Sequence, residues 1–173
     1  MDYAQQFLSS TDSVFNLSSS QYYLYGQDDN GCYSDTIILS VQEPSPINIS
    51  VNNVIDLICN NVPDGSISVD ALGGTGVLNY QWFGPNNFIQ SGQSINQLFA
   101  GSYNVSVIDE NNCIKTSSIT VNEPNAININ LSNITYIKCK GTNTGSIELN
   151  CNGGTPPYSY SWSGDNGFNA NGN

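Results

Sequence analysis

The sequence contains no histidine, and only three of its 173 residues are lysine or arginine. Without histidine, the common catalytic triads and the commonest general base are missing. A Cys-x-x-Cys pair is also missing, so neither usual zinc ligand pattern is present. We therefore expect a non-catalytic chain that binds no metal or other cofactor.

Basic charge is scarce as well. The 14 acidic residues give a formal net charge of −11. Nucleic acids and anionic membrane surfaces attract basic patches, so this charge argues against both as partners. It favours solubility and mutual repulsion between copies of the chain.

Long apolar runs are missing too. No run approaches the roughly 18 residues of a membrane-spanning helix, so we expect no membrane insertion. Met1 is followed by Asp2, Tyr3 and Ala4 without a basic or apolar leader, which predicts no signal peptide. Hydrophobic residues nevertheless make up 38% of the chain and alternate with polar ones. This alternation indicates a folded protein rather than a disordered one.

A glycine-rich turn that leads into an aromatic strand occurs twice, with a spacing of 80 residues (73 to 153). Each copy has two glycines, then Thr, and later a Tyr and a Trp that alternate along a strand. These positions are Gly73, Gly74, Tyr80 and Trp82 in one copy, and Gly153, Gly154, Tyr160 and Trp162 in the other. We interpret the glycines as turn residues and the aromatic residues as core residues of a repeated module.

The repeat divides the chain into three parts. Residues 1–44 match the second half of a module, residues 45–124 form a complete module, and residues 125–173 match a first half. Glu43-Pro44 and Glu123-Pro124 mark short linkers. Because the chain starts and stops within modules, we expect a fragment of a larger protein.

The complete module contains roughly six or seven short strands with turn signals between them, a pattern typical of an immunoglobulin-like sandwich. No segment shows helical periodicity. The predicted fold is all-β, with tandem immunoglobulin-like β-sandwich repeats in an extended array.

Two cysteines, Cys59 and Cys113, occur in the complete module. A disulfide between them would stabilise the module by roughly 4 kcal/mol in the chain-entropy model. Free buried thiols and a bond between neighbouring modules are the alternatives, because Cys59 and Cys113 can lie at opposite ends of a sandwich. Asp28-Asp29-Asn30 and Asp109-Glu110-Asn111 offer oxygen ligands for Ca²⁺, but such residues are more typical of hairpin turns.

The order of these motifs resembles a known family. The complete module presents Cys59, then Gly73-Gly74-Thr75, Tyr80-Gln81-Trp82, Asp109-Glu110-Asn111-Asn112-Cys113 and Glu123-Pro124. This order is similar to the SprB-type repeat of cell-surface adhesins in gliding bacteria of the Bacteroidetes group. The resemblance implies an extracellular, cell-surface filament built of repeats, exported by type IX secretion and used in adhesion, in some cases in gliding motility.

The sequence therefore predicts a structural or adhesive segment whose partners are the neighbouring modules of the same chain. A surface, glycan or host-cell ligand stays unidentified. The alternatives are a ligand- or glycan-binding module of a secreted protein or virion fibre, and an accessory domain of a secreted glycan-degrading enzyme.

Overall fold

The structure is a computed structural model that describes residues 13–172. The chain divides into two compact units, which meet between Ser45 and Pro46. In the first unit, β1 (Ser20–Leu24) pairs with β2 (Ile37–Val41) in an antiparallel hairpin, with Tyr22 opposite Leu39.

The second unit contains eleven strands, which are antiparallel wherever they pair. They are β3 (Asn48–Ile55), β4 (Gly65–Leu72), β5 (Asn79–Phe83), β6 (Ile89–Ser91), β7 (Ser94–Leu98), β8 (Gly101–Ile108), β9 (Ile114–Val121), β10 (Asn128–Thr135), β11 (Ser146–Asn152), β12 (Tyr160–Ser163) and β13 (Asn169–Gly172). Within the described residues, the only helical segments are two short 3₁₀ turns, Pro85–Asn87 and Asp165–Gly167.

The complete module is a sandwich of two sheets. One sheet has the order β3-β4-β7, and the other has the order β6-β5-β8-β9. The alternating residues of the strands place one side chain of each pair inside, as Ile67 and Val69 show on β4. The core between the sheets is formed by Ile47, Leu57, Ile67, Val69, Trp82, Ile95, Leu98, Tyr103, Val105, Val107, Ile119 and Val121.

Two aromatic residues give the module its immunoglobulin-like character. Trp82 on β5 is fully buried, and its Nε1 donates a hydrogen bond to the Gly92 carbonyl oxygen at 2.9 Å. The Tyr103 hydroxyl donates to the carbonyl oxygen of Phe99, four residues earlier, at 3.0 Å. A buried Trp on the third strand and a Tyr bonded to the preceding corner are both features of this fold. The predicted all-β fold of tandem immunoglobulin-like repeats is therefore confirmed.

Residues 125–172 repeat the first half of the module. β10 and β11 pair like β3 and β4, with a register shift between Leu131 and Asn133 that matches the one between Val51 and Asn53. β12 and β13 pair like β5 and β6. The inner face of this half is open to solvent: Ile147 is 51% exposed, whereas its counterpart Ile67 is 1% exposed.

Replacing Trp82 with Ala should lower the free energy of unfolding of the module by about 3–5 kcal/mol, because the substitution leaves a large cavity between the sheets. Gln81→Ala, on the exposed face of the same strand, should change it by no more than about 0.5 kcal/mol. Urea denaturation followed by far-UV circular dichroism measures both. Equal effects of the two substitutions would show that Trp82 does not hold the sheets together.

Candidate functional site at the module junction

The chain approaches and leaves the complete module at opposite ends of the sandwich. At the end that we call the leading pole, a methyl group on Gly74 would come within 3.0 Å of both Ile47 and Asp109. At the other end, the trailing pole, the Leu57 N–H donates to the Asn122 carbonyl oxygen at 2.9 Å. Both poles therefore face towards neighbouring modules along the chain.

A buried carboxylate organises the leading pole. Asp109 is 3% exposed, and its Oδ1 accepts hydrogen bonds from the N–H groups of Asn111 at 2.9 Å and Cys113 at 2.8 Å. Its Oδ2 accepts from the Thr75 N–H at 2.9 Å. Burial opposes the charged form, but these backbone hydrogen bonds outweigh it and hold the pKa of Asp109 below its ordinary value.

The same local arrangement recurs in the first unit. Asp28 Oδ1 accepts from the N–H groups of Asn30 at 3.0 Å and Cys32 at 2.8 Å. The hydrogen bond from Cys32 is the main reason that the pKa of Asp28 also lies below its ordinary value. In both hairpins the acidic side chain therefore serves the turn. Among residues 13–172, no three acidic or cysteine side chains lie close enough together to hold a metal ion.

The glycines of the repeated motif lie at the leading pole of each copy. All four have positive φ: +91° at Gly73, +68° at Gly74, +76° at Gly153 and +59° at Gly154. Gly74 is needed twice over, because a side chain there would be strained and would also meet Asp109. The motif therefore fits the turn closely against the hairpin that carries Asp109.

The aromatic residues of the motif differ between the copies. Tyr80 is half-buried and its hydroxyl accepts a hydrogen bond from Gln93 Nε2 at 3.3 Å, beside the fully buried Trp82. Tyr160 and Trp162 are only half-buried. No described strand covers β12 on the side where β8 covers β5.

The trailing pole holds the linker to the next module. Asp56 Oδ1 accepts from the Asn122 N–H at 2.8 Å, and this bond holds the pKa of Asp56 below its ordinary value. The Asn61 N–H donates to Glu123 Oε2 at 2.6 Å, and Asn60 Nδ2 donates to the Pro124 carbonyl oxygen at 3.1 Å. The linker is thus fixed to the turn between β3 and β4.

The next module begins directly against this linker. The Gly154 N–H donates to the Asn125 carbonyl oxygen at 2.6 Å. An open groove of about 500 Å³, which we call the junction groove, lies where the two modules meet. It is lined by Ile58, Cys59, Asn60, Pro124, Asn125, Ala126, Ile127, Gly154 and Thr155.

Sequence reasoning did not find most of these junction residues. The Glu-Pro linker was the only signal, because Asp56 and Asn122 lie 66 positions apart and share no local pattern. Their partnership exists only because the sandwich brings the end of β3 beside the end of β9.

The structure does not join Cys59 to Cys113. All five cysteines are free thiols, and Cys59 and Cys113 are both exposed. Cys113 follows Ile108 in the hairpin at the leading pole, whereas Cys59 lies beside the linker at the trailing pole. The β8–β9 ladder from Gly101 to Ile108 separates these ends by roughly 23 Å, whereas disulfides need Cα atoms within about 7 Å.

The bond between neighbouring modules stays a prediction, and the groove geometry favours it over the bond within one module. Cys59 lines the junction groove together with Gly154 and Thr155. In the complete module, the counterparts Gly74 and Thr75 contact the hairpin that ends at Cys113. The matching hairpin of a following module would therefore lie near Cys59.

These observations define a class: a repeat protein built of immunoglobulin-like modules joined by short, hydrogen-bonded linkers. The SprB repeat family matches residues 51–87 and 131–167, and the two matches are again 80 residues apart. The chain therefore carries two SprB repeats, and the resemblance seen in the sequence is confirmed. A search of the curated proteins returns no match. Across residues 13–172, no helix has the length and apolar character needed to cross a membrane.

Acidification should destabilise the module through Asp109. Because its folded-state pKa is depressed, the contribution of Asp109 is fully present above the ordinary Asp pKa of about 3.9 and is lost as the pH falls through the folded-state value. Asp109→Asn should therefore be less stable than wild type at pH 7 and should lose less stability on acidification.

Urea denaturation at pH 7 and at stepwise lower pH, compared between wild type and Asp109→Asn, measures this effect. Asp70→Asn, on the exposed face of β4, is the control and should follow wild type closely. Parallel pH curves for wild type and Asp109→Asn would contradict the role of this carboxylate.

The cysteines should react as free thiols. We expect a thiol-alkylating reagent to add to all five cysteines of the unfolded chain without prior reduction, since none is bonded in the structure. Intact-mass spectrometry with and without reductant measures this. A mass that gains two more adducts only after reduction, mapped to Cys59 and Cys113, would contradict the separation of the two poles.

Proposed function

We propose that the chain is a non-catalytic structural and adhesive segment of an extracellular, repeat-built cell-surface filament. The observation that carries this proposal is the junction, where the linker is hydrogen-bonded to one module and the next module begins directly against it. SprB repeats occur in cell-surface proteins, which supports the same location. Adhesion, type IX export and gliding motility are the finer parts of the proposal.

The junction suits a spacer because it limits how far one module can turn against the next. Three linker positions, Asn122, Glu123 and Pro124, are each bonded to residues between Asp56 and Asn61. In repeat arrays of this kind, stability comes from each repeat and its contacts with its neighbours. A filament of such modules projects whatever it carries to a defined distance from the cell.

The outer surface of the complete module is polar rather than cleft-like. On the β8–β9 sheet, Ser102 and Ser118 share a hydrogen bond at 2.9 Å and face outward beside exposed Asn104. The acidic balance of the chain adds repulsion between separate filaments. These features support display and reach as the role of the segment, with no part in chemistry.

A second candidate, a ligand- or glycan-binding module, is favoured by one observation. In the first unit, Tyr25 and Tyr33 meet edge to face with ring centroids 5.7 Å apart, and Tyr33 is 66% exposed. Exposed aromatic rings stack readily on apolar sugar faces, as amphipathic rings do at other recognition surfaces. This pair is where we expect a glycan to bind if the segment binds one directly.

The spacer role predicts a fixed distance across the junction. With spin labels on Cys59 and Cys139 and the other cysteines replaced by Ser, double electron–electron resonance should give one narrow distance distribution. Glu123→Ala removes the acceptor of the Asn61 N–H and should broaden it. Asp70→Ala on exposed β4 is the control. A broad distribution in the wild-type chain would contradict the spacer role.

The glycan-binding role predicts saturable binding on a glycan array. Tyr33→Ser should weaken such binding by about tenfold or more, since loss of one stacked ring costs roughly 1–3 kcal/mol in comparable aromatic contacts. Tyr136→Ser, at another exposed Tyr, is the matched control. Binding that is unaffected by Tyr33→Ser would place the ligand elsewhere, and no binding at all would leave the spacer role standing alone.

A further inference from the structure

The open half-module at residues 125–172 exposes a ready-made apolar surface. Ile137 is 55% exposed where its counterpart Leu57 is 5% exposed, and Phe168 is 58% exposed. A groove of about 670 Å³ runs across this surface. Its apolar lining includes Ile134, Ile137, Ile147, Trp162, Phe168 and Ala170. In the complete module, the matching surface is covered by β8 and β9, the second half of the sandwich.

The first unit is such a second half. β1 pairs with β2 in the register of β8 with β9: Tyr22 lies opposite Leu39 as Tyr103 lies opposite Ile119, and Ser20 lies opposite Val41 as Gly101 lies opposite Val121. Its apolar side chains are uncovered, with Leu24 55% and Leu39 51% exposed.

The β1–β2 hairpin already has the local contacts of the complete module. The Tyr22 hydroxyl donates to the Ser18 carbonyl oxygen at 2.7 Å, as the Tyr103 hydroxyl donates to Phe99. The Asp28 turn repeats the Asp109 turn, hydrogen bond for hydrogen bond along the chain. Little rearrangement is therefore needed before this hairpin can cover a first half.

We propose that β1–β2 of one copy of this chain docks on residues 125–172 of a second copy and completes its sandwich. The complete module supplies the register: β5 pairs with β8 so that Trp82 lies opposite Val105. By the same pairing, Trp162 of one copy lies opposite Leu24 of the other.

Charge at the seam fits the same occupant. In the complete module, Glu123 accepts the N–H of Asn61 next to Asn60. Their counterparts are Glu43 in the docking copy and Gly141 next to Lys140 in the receiving copy. Lys138 and Lys140 are two of only three basic residues in the chain, so an acidic side chain meets its scarce basic partners.

The contact is heterologous, because the docking surface and the receiving surface are different parts of the chain. Each copy gives one hairpin and receives one, so contacts continue head to tail into chains of growing length unless a ring closes. This assembly would extend the array of sandwiches from one molecule to the next without a new kind of interface.

Two variants test the proposal. Leu24→Asp disables the docking hairpin, and Trp162→Asp disables the receiving surface. In sedimentation velocity, wild type should form dimers and larger species as concentration rises. Each variant alone should remain monomeric, with association weakened by more than about tenfold, as expected for central apolar contacts. Mixed in equal amounts, the variants retain one good contact between them and should form a heterodimer that grows no further.

Matched controls use the same substitution one residue away on the opposite face of each strand. Tyr23→Asp, whose counterpart Asn104 faces solvent, and Ser161→Asp should assemble like wild type. Unchanged urea unfolding of the complete module shows that all four variants fold. The proposal is overturned if wild type stays monomeric throughout, if the mixed variants do not pair, or if the controls lose assembly as well.

Discussion

The burial of Trp82 between two sheets is the constraint on which the rest of the module depends. Its strand, β5, belongs to one sheet, but the side chain is excluded from water only when β4 and β7 face it and β8 lies beside it. Those strands come from both halves of the 80-residue repeat, so half a module cannot make the core. Trp162, in the same place with only a first half around it, is still partly open to solvent. The cost of that exposure is what makes the incomplete halves at residues 13–41 and 125–172 chemically distinct from the finished module between them.

Polar satisfaction at the two poles complements the apolar core. Burying a carboxylate is costly unless its oxygens are hydrogen-bonded, and Asp109 receives three backbone N–H groups. Across residues 13–172, no described buried side-chain nitrogen or oxygen lacks a hydrogen-bond partner. The trailing pole instead uses exposed side chains, Asp56 and Glu123, to fix a linker that would otherwise be free to rotate. The leading pole therefore stabilises the module itself, whereas the trailing pole sets its relation to the next one.

Much of the fold could be predicted from the sequence because strand alternation and turn chemistry are local. Ile67 and Val69 alternate with Ser and Asp, and a Gly-Gly-Thr turn that repeats after 80 residues marks the module without reference to distant contacts. The site could not be predicted in the same way. Thr75 and Asp109 are 34 positions apart, Asp56 and Asn122 are 66 apart, and only the closed sandwich brings either pair together. The expected link between Cys59 and Cys113 does not form for the same reason, since counting cysteines per module says nothing about which pole each one occupies.

The placement of the first and last strands has a mechanical consequence. β3 and β9 both run from the leading pole to the trailing pole, and the Leu57 N–H to Asn122 bond joins them where they end. Tension along the chain pulls Pro46 towards one pole and Glu123 towards the other. Such a load slides the two strands past each other, so many contacts must break together instead of opening one after another. A tether made of these modules would resist pulling far better than its modest size and sparse charge suggest.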